Sequence, residues 1–335
     1  MKALLVTLLA LAAAGLTACG QADRSEGGGG GESASYPKGR LSIMAPADPG
    51  GGWDETARAL QDSARKGKLA GNVEVYNVPG AGGTIGLSQL ASKRSGDPNQ
   101  LMVMGLVMLG AIEQNNSPVD LSKTTPIASL TSEGEVIVVP AKSEFKTVKD
   151  LMEAFKADPK KVSFAGGSAG GTDQLIAGLM AKTVGVEGSD VKYVAYSGGG
   201  EAKAAILSGS VAAGISGVSE FADQVEAGKM RALAVASSEP IEIGGKQVPT
   251  LKESGYDVEM TNWRGVVAPP GLSEEQKQQV TSWVQKLHDS PEWQSALKRF
   301  GWDDEFRVGS QFDSFLKSET TRVEGIAADL GLTGG

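Results

Sequence analysis

The chain of 335 residues has one histidine, His288, and one cysteine, Cys19. Far apart in sequence, they cannot build a His/Cys metal cluster, and a lone cysteine excludes a disulfide within one chain. Aromatic residues are scarce at 5%, and 32 Lys and Arg are outnumbered by 40 Asp and Glu, for a formal charge of -8. With no basic stripe and no aromatic-basic interleaving, nucleic acid is excluded as the main partner, and an anionic ligand has to be attracted locally. Nucleotide signatures are missing too. No P-loop lysine occurs, and Ile85 stands where a Gly-x-Gly-x-x-Gly motif starting at Gly80 needs its last glycine. No cofactor and no metal are therefore expected.

Glycine, by contrast, is abundant: 46 residues, well above the usual share of about 7%. Apart from one tract, the glycines cluster where a β-branched or apolar run ends and a helical pattern begins. Val75–Val78 leads through Pro79, Gly80, Ala81, Gly82, Gly83 and Thr84 into a helix carrying Leu87 and Leu90. Ile43–Pro46 leads through Gly50, Gly51, Gly52 and Asp54 into a helix with Ala57, Leu60 and Ala64. Val162–Ala165 leads through Ser168, Gly170, Gly171, Thr172 and Asp173, and Tyr193–Tyr196 through Ser197 and Gly198, each into a further helix. Glycine lets the main chain approach a ligand, and the first amides of a helix lack internal partners. Such junctions suit a carboxylate or phosphate. Two lie early and two mid-chain, so the pattern predicts two lobes whose helix N-termini face one cleft and trap a small anion.

The first residues read as a targeting segment. Lys2 supplies a positive start, Ala3–Leu16 is apolar but short for a membrane span, and Leu16-Thr17-Ala18-Cys19 ends it. That ending resembles a bacterial lipoprotein signal, which implies a signal peptide over 1–18 and a lipid on Cys19. An ordinary secretory segment with a chance cysteine is the alternative. Residues 19–38, with five consecutive glycines from Gly27 to Gly31, read as a flexible tether of roughly 25 Å, with folding beginning near Gly39.

From Arg40 onward strands alternate with helices, including Leu101–Met104, Pro126–Leu130, Glu135–Val139, Val211–Ser216 and Ala232–Val235, which implies a mostly parallel sheet covered by helices. Thr147-Val148-Lys149-Asp150 and Ser273-Glu274-Glu275-Gln276 have capping-box form at helix starts. Trp263–Pro270 reads as one more strand, followed by a long amphipathic helix and two further helical stretches.

Four motifs in this order resemble the solute-binding proteins of tripartite tricarboxylate transporters, extracytoplasmic receptors of the Bug type. They are Ala45-Pro46 with Pro49-Gly50-Gly51-Gly52-Trp53-Asp54; Asn77-x-Pro79-Gly80-Ala81-Gly82-Gly83-x-Ile85-Gly86; Gly167-Ser168-Ala169-Gly170-Gly171-Thr172-Asp173; and Trp263-Arg264-Gly265-x-x-Ala268-Pro269-Pro270. Asp173 stands where many relatives carry His. The resemblance implies a two-lobed α/β periplasmic-binding-protein fold of the second type with two crossing strands, expected at Glu133–Pro140 and Met260–Ala268. Lobe 1 would comprise 39–137 and 265–335, and lobe 2 138–264. A monomer would capture a di- or tricarboxylate and present it to a large and a small membrane subunit.

Each candidate residue has a plainer reading beside the ligand-binding one. Asp54 can touch a ligand hydroxyl or ammonium, or cap its helix and pair with Arg58. Thr84, Ser168 and Thr172 can bind a carboxylate or cap helices. An ionised Asp173 would repel an anion, so it either faces away or meets a ligand hydroxyl, amine or cation. Arg264 can neutralise the ligand or pair between lobes. Tyr196 and Trp53 can wall the cleft or fill core. Valine at Gly82 or Gly170 is expected to abolish binding and spare the fold. Gly166-Gly167-Ser168-Ala169-Gly170 also fits a hydrolase nucleophile elbow, but His288 lies in a predicted amphipathic helix, an unsuitable place for the base. A third reading is a sensing lipoprotein that presents its loaded form to a receptor.

Overall fold

A computed structural model describes residues 36–334. The expected signal peptide, the lipidation at Cys19 and most of the tether lie outside the described residues. The described residues include three before Gly39, and Tyr36 among them is packed on the body. Tyr36 donates from its hydroxyl to the Pro98 carbonyl at 2.8 Å, and its ring meets Trp283 edge-on at 5.9 Å.

The first stretch runs β1 (Leu41–Ala45), α1 (Gly52–Lys66), β2 (Val73–Asn77), α2 (Thr84–Lys93), β3 (Gln100–Gly105), α3 (Leu106–Gln114) and β4 (Thr125–Ser132). The middle runs β5 (Glu135–Pro140), α4 (Val148–Ala157), β6 (Ser163–Gly166), α5 (Thr172–Thr183), β7 (Lys192–Ala195), α6 (Gly199–Leu207), β8 (Ala213–Gly217), α7 (Val218–Glu226), β9 (Met230–Val235) and the hairpin β10 (Ile241–Ile243) and β11 (Lys246–Val248). The chain ends with β12 (Arg264–Ala268), α8 (Glu274–His288), α9 (Pro291–Phe300), β13 (Asp303–Val308) and α10 (Gly309–Asp329). Both capping boxes form: Thr147 and Asp150 bond each other's amides at the start of α4, and Ser273 and Gln276 do so at α8.

The strands make a six-stranded sheet, β13-β4-β12-β3-β1-β2, a five-stranded sheet, β7-β6-β8-β5-β9, and the hairpin. Parallel pairs such as β1 with β2 and β6 with β7 coexist with antiparallel ones at β12, β13 and β5. The sheets are therefore mixed, because the strands bordering each passage between sheets enter against the direction of their neighbours. β4 belongs to the first sheet and the whole of β5 to the second, so the chain crosses at Glu133 and Gly134. It returns at Thr261–Trp263, just before β12. The divisions expected after residues 137 and 264 thus cut through β5 and β12. The two passages are bonded to each other: Asn262 N–H donates to Glu133 O at 2.9 Å, Glu133 N–H to Asn262 O at 3.3 Å, and Gly134 bridges Thr261.

Alternation along β5 explains how one sheet serves two layers. Ile137 and Val139 join a large buried cluster that also holds Met44, Val103 and Leu130 of the six-stranded sheet. Val136 and Val138 point the other way, into a smaller cluster with Ile206, Phe221 and Met230.

Candidate functional site

The four glycine junctions follow the carboxyl ends of β1, β2, β6 and β7, which are parallel within their sheets. That is the edge of an open α/β sheet where ligands are received. All four border one cavity of about 270 Å³ between the two sheets, lined by Gly51 and Gly52, by Gly80–Gly83, by Gly167–Ala169 and by Ala195–Gly199. The halves approach closely there. A methyl group built on Gly51 would lie 4.0 Å from Gly198 Cα, and one on Gly110 only 1.9 Å from the Gly170 carbonyl oxygen.

The helix-end amides are less free than the sequence suggests, because side chains of the protein already occupy several. Gly52 N–H, at the start of α1, donates to Glu220 Oε1 of α7 at 3.0 Å. Gly167 N–H donates to Asp173 Oδ2. Gly50, Gly170 and Ser197 amides donate to Asp54, Gln174 and Glu201 at 2.9, 2.8 and 3.2 Å. The turn before α2 differs. Its amides at Gly83 and Thr84 bond the carbonyls of Gly80 and Ala81, a tight turn with Ala81, Gly82 and Gly83 all at positive φ.

Charge in the cavity wall is dominated by acid. Asp173 and Glu220 line it beside Arg264. Arg264, 2% exposed, donates from Nη2 to Glu133 Oε1, and Glu133 also accepts from the Ser219 hydroxyl at 2.8 Å. Its guanidinium fills the space a side chain at position 52 would need, 2.5 Å from a Cβ built there. Burial, with Glu220 as a like charge, pushes the Asp173 carboxyl up to about 7 against the hydrogen bond from Gly167. Burial raises Glu220 also, against the Ser216 hydrogen bond, and raises fully buried Glu135 further, with Asp173 beside it. Glu55 rises to about 7 through burial and Glu220. Burial disfavours the charged Arg264, but Glu133 and Glu220 overcome it and hold the guanidinium protonated.

Of the residues the sequence singles out, Gly51, Gly52, Gly80, Ala81, Gly82, Gly83, Ser168, Asp173, Tyr196, Gly198, Arg264 and Trp53 reach the cavity. Five others do not line it. Asp54 is buried beneath the first loop, where Arg58 at 2.8 Å, the Gly50 amide and Asn77 at 3.0 Å bond its carboxylate and, although burial opposes them, hold it low. Its role is to fix the glycine turn. Thr84 donates to the Ala81 carbonyl at 2.9 Å, closing its own turn. Gly170 packs on α3 at φ +74°, Gly171 leaves room for the Ser168 hydroxyl, and Thr172 is fully buried. Arg264 is ion-paired with Glu133 at the crossing and also lines the cavity.

Glu220, Ser216, Asn262 and the buried pair Glu133 and Glu135 were not singled out by the sequence patterns. One signal exists: β8 leads into Ser216-Gly217-Val218-Ser219-Glu220, another strand, turn and helix start. A second is charge at the start of an apolar strand, since Glu133 and Glu135 directly precede the run Val136–Val139. His288 stays apart from Ser168. It lies on α8 bonded to Asp289 and Asp304, both at 2.9 Å, stacks on Phe306 at 3.9 Å, and does not line the cavity.

Two α/β halves with paired crossings and a cavity between them are the architecture of periplasmic binding proteins. The structure of the periplasmic binding protein BugD covers 90% of this chain and all of its own with a TM-score of 0.79, at 24% identity. MatC from Rhodopseudomonas palustris, with bound malate, matches 86% of this chain and 99% of its own at TM-score 0.75 and 22% identity. In sequence, a Cupriavidus necator protein named for the gbd 5' region is 29% identical over 300 residues, 89% of each chain. Residues 56–332 match the tripartite tricarboxylate transporter family receptor, and the chain belongs to that family of solute-binding receptors. These receptors are not enzymes. Among the described residues no helix is long and apolar enough to cross a membrane.

Proposed function

We propose that this receptor captures a small carboxylate between its two halves and delivers it to a tripartite membrane transporter. The observation that carries the reading is the meeting of four strand-glycine-helix junctions, two from each sheet, around one cavity of about 270 Å³. A space below the roughly 300–1,000 Å³ of drug-sized pockets suits a small acid. Malate bound in the similarly folded MatC supports a carboxylate ligand. In this reading 39–132 with 264–332 form one lobe and 135–260 the other, moving about the bonded passages at Glu133 and Asn262. The loaded form is what the two membrane subunits receive. Lipid on Cys19 would keep the receptor at the membrane surface on its glycine-rich tether, a reading that rests on the signal sequence.

Ligand contacts would fall to Gly51, Gly80–Gly83, Ser168, Tyr196, Gly198 and Arg264, with Asp173 setting which acids are accepted. Thermal shift and calorimetry against citrate, malate, succinate, adipate and amino-substituted acids test it. At least one acid raises the melting temperature in a dose-dependent way. No stabilisation by any of them would refute carboxylate capture.

A further inference from the structure

The last helix reaches past the half it belongs to. Along its length α10 packs on α3 and on β4 of the six-stranded sheet. Near its middle, Glu319 Oε2 accepts from Trp263 Nε1 at 2.8 Å, and Phe312 and Phe315 meet the Trp263 ring edge-on at 6.5 and 5.0 Å, so the helix is keyed to the returning passage. About 16 Å further along, at 1.5 Å per residue, Leu330 follows its last turn. That leucine is 3% exposed because it is buried against α5 of the other half.

The socket that receives it is made of missing side chains. Gly178 lies inside α5, where glycine is unfavourable, and no positive φ calls for it there. A methyl group built on Gly178 would fall 2.6 Å from Leu330 Cδ1. One on Gly188, in the turn that follows α5, would fall 2.5 Å from the Leu330 carbonyl oxygen and 3.1 Å from its Cα. Both glycines leave room that one leucine fills. The flanking contacts hold the segment from either side. Lys182 of α5 pairs with Asp329 at 2.9 Å, an exposed contact of little weight. Beyond it Gly334 N–H donates to the Glu113 carbonyl of α3 at 3.2 Å, and the Gly334 carbonyl accepts from Asn116 Nδ2 at 2.9 Å, which pins the segment to the first half. Leu330 is therefore a knob carried by one half and seated in the other, with apolar burial as the main attraction.

We propose that residues 329–334 form a latch: Leu330 sits beside Gly178 and Gly188 while the halves are together and leaves that socket when they part. None of these residues lines the cavity. Latching and enclosure of a solute then share one equilibrium, so a contact outside the cavity wall sets how long the receptor keeps what it holds. The parting of the halves belongs to the receptor reading above, but the latch itself is measurable without a solute.

Hydrogen exchange at the Gly52 amide, whose bond to Glu220 spans the halves and involves no latch residue, reports parting in the ligand-free full chain. Leu330→Ala shortens the knob, and Gly188→Ala crowds the socket from a surface turn, with circular dichroism confirming that each variant is folded. Exchange at Gly52 speeds up by about tenfold to a hundredfold in Leu330→Ala, the range for losing most of a buried leucine's apolar contact, and by a smaller factor in Gly188→Ala. If Leu330→Ala does not fold, Gly188→Ala decides alone. Exchange equal to the parent's in the folded variants, with only the melting temperature lowered, overturns the latch and leaves the segment as ordinary packing. Faster exchange in Leu330→Ala but not in Gly188→Ala overturns the socket. Stopped-flow release of whichever of citrate, malate, succinate and adipate stabilises the parent speeds up by a comparable factor in Leu330→Ala, and an unchanged release rate overturns the link to the cleft. Absence of binding by all four acids counts against the receptor reading and leaves the exchange result to decide the latch.

Discussion

Gly52 N–H, the first amide of α1, donates to Glu220 Oε1 at 3.0 Å across 168 residues of sequence, linking the half built on the six-stranded sheet to the half built on the other. Glu220 is held on its second oxygen by the Ser216 hydroxyl, and a methyl group on Gly199 would lie 2.0 Å from that oxygen. The protein's own carboxylate therefore sits between two helix N-termini, where the dipoles favour negative charge. It is a tie between the halves at the same time as it is part of the cavity wall. Together with Glu133, which joins Arg264 at the start of β12 to Ser219 of α7, it makes the cleft and the crossing one connected polar cluster.

Glu220→Ala removes that tie and frees the Gly52 amide. The expected result is faster hydrogen exchange at Gly52 by roughly tenfold, the equivalent of losing one hydrogen bond to a charged group, with a larger radius of gyration in solution scattering. Unchanged exchange and an unchanged radius would mean that the bond does not hold the halves together.

Arg264→Met leaves Glu133, 1% exposed, without its countercharge. Breaking one partner out of a buried pair costs about 3–5 kcal/mol, which urea unfolding of the apo protein reads directly. Replacing both residues, as Arg264→Met with Glu133→Gln, should recover part of that loss, because the uncompensated buried charge is removed with its partner.

The glycine junctions were legible in the sequence because their signal is local: a β-branched run, a bare turn and a helical spacing sit within about a dozen residues. Their convergence follows from parallel strands sharing a sheet edge, which the alternation of elements already implies. The mixed strand directions were not legible, since β12 and β13 return to the first sheet from the far end of the chain. Nor was the split between residues that face the cavity and those that serve their own loop. Asp54, Thr84 and Gly171 have the composition of ligand-binding positions, yet each satisfies a neighbour within a few residues. Local sequence cannot say whether a capping group finds its partner in the chain or in a solute. Glu220 escaped because its partner, Gly52, is remote, and an acidic residue near a helix start needs no special explanation.

Gly82 shows what this means for mutagenesis. Valine there was expected to block binding alone, but a Cβ would fall 2.3 Å from Ala111 Cβ at a backbone φ of +58°. Overpacking and left-handed strain together predict a loss of about 2–5 kcal/mol in stability, seen as a lowered urea midpoint. Gly170, at φ +74° and where a Cβ would fall 2.7 Å from the Gly110 carbonyl oxygen, behaves the same way. The discriminating change is Gly51→Ala, at φ -88° with its nearest neighbour 3.7 Å away and with Glu220 and Gly198 close by. Its melting temperature should match the parent's while carboxylate affinity falls. Normal affinity in that variant would put the first loop outside the binding surface.

Stability should depend on pH in a direction opposite to that of a salt-bridged carboxylate. Asp173 rises from 3.8 to about 7 on folding through burial, and Glu55 from 4.5 to about 7. Between the unfolded and folded values the native state binds protons that the unfolded chain has released, so unfolding free energy falls as pH rises through that window. Below about pH 4 both states are protonated and the effect vanishes; above about pH 7 the loss is complete. Each group contributes at most about 1.4 kcal/mol per pH unit, and coupling to Glu135 and Glu220 spreads the titration. Urea unfolding of the ligand-free protein from about pH 5 to pH 8 should show declining stability, with a shallower decline in Asp173→Asn, which is neutral throughout. A stability that rises across this range, or an Asp173→Asn slope equal to the parent's, would place the acidic wall in its charged form already at pH 5, and the wall would then be an open negative surface and not a buried proton store.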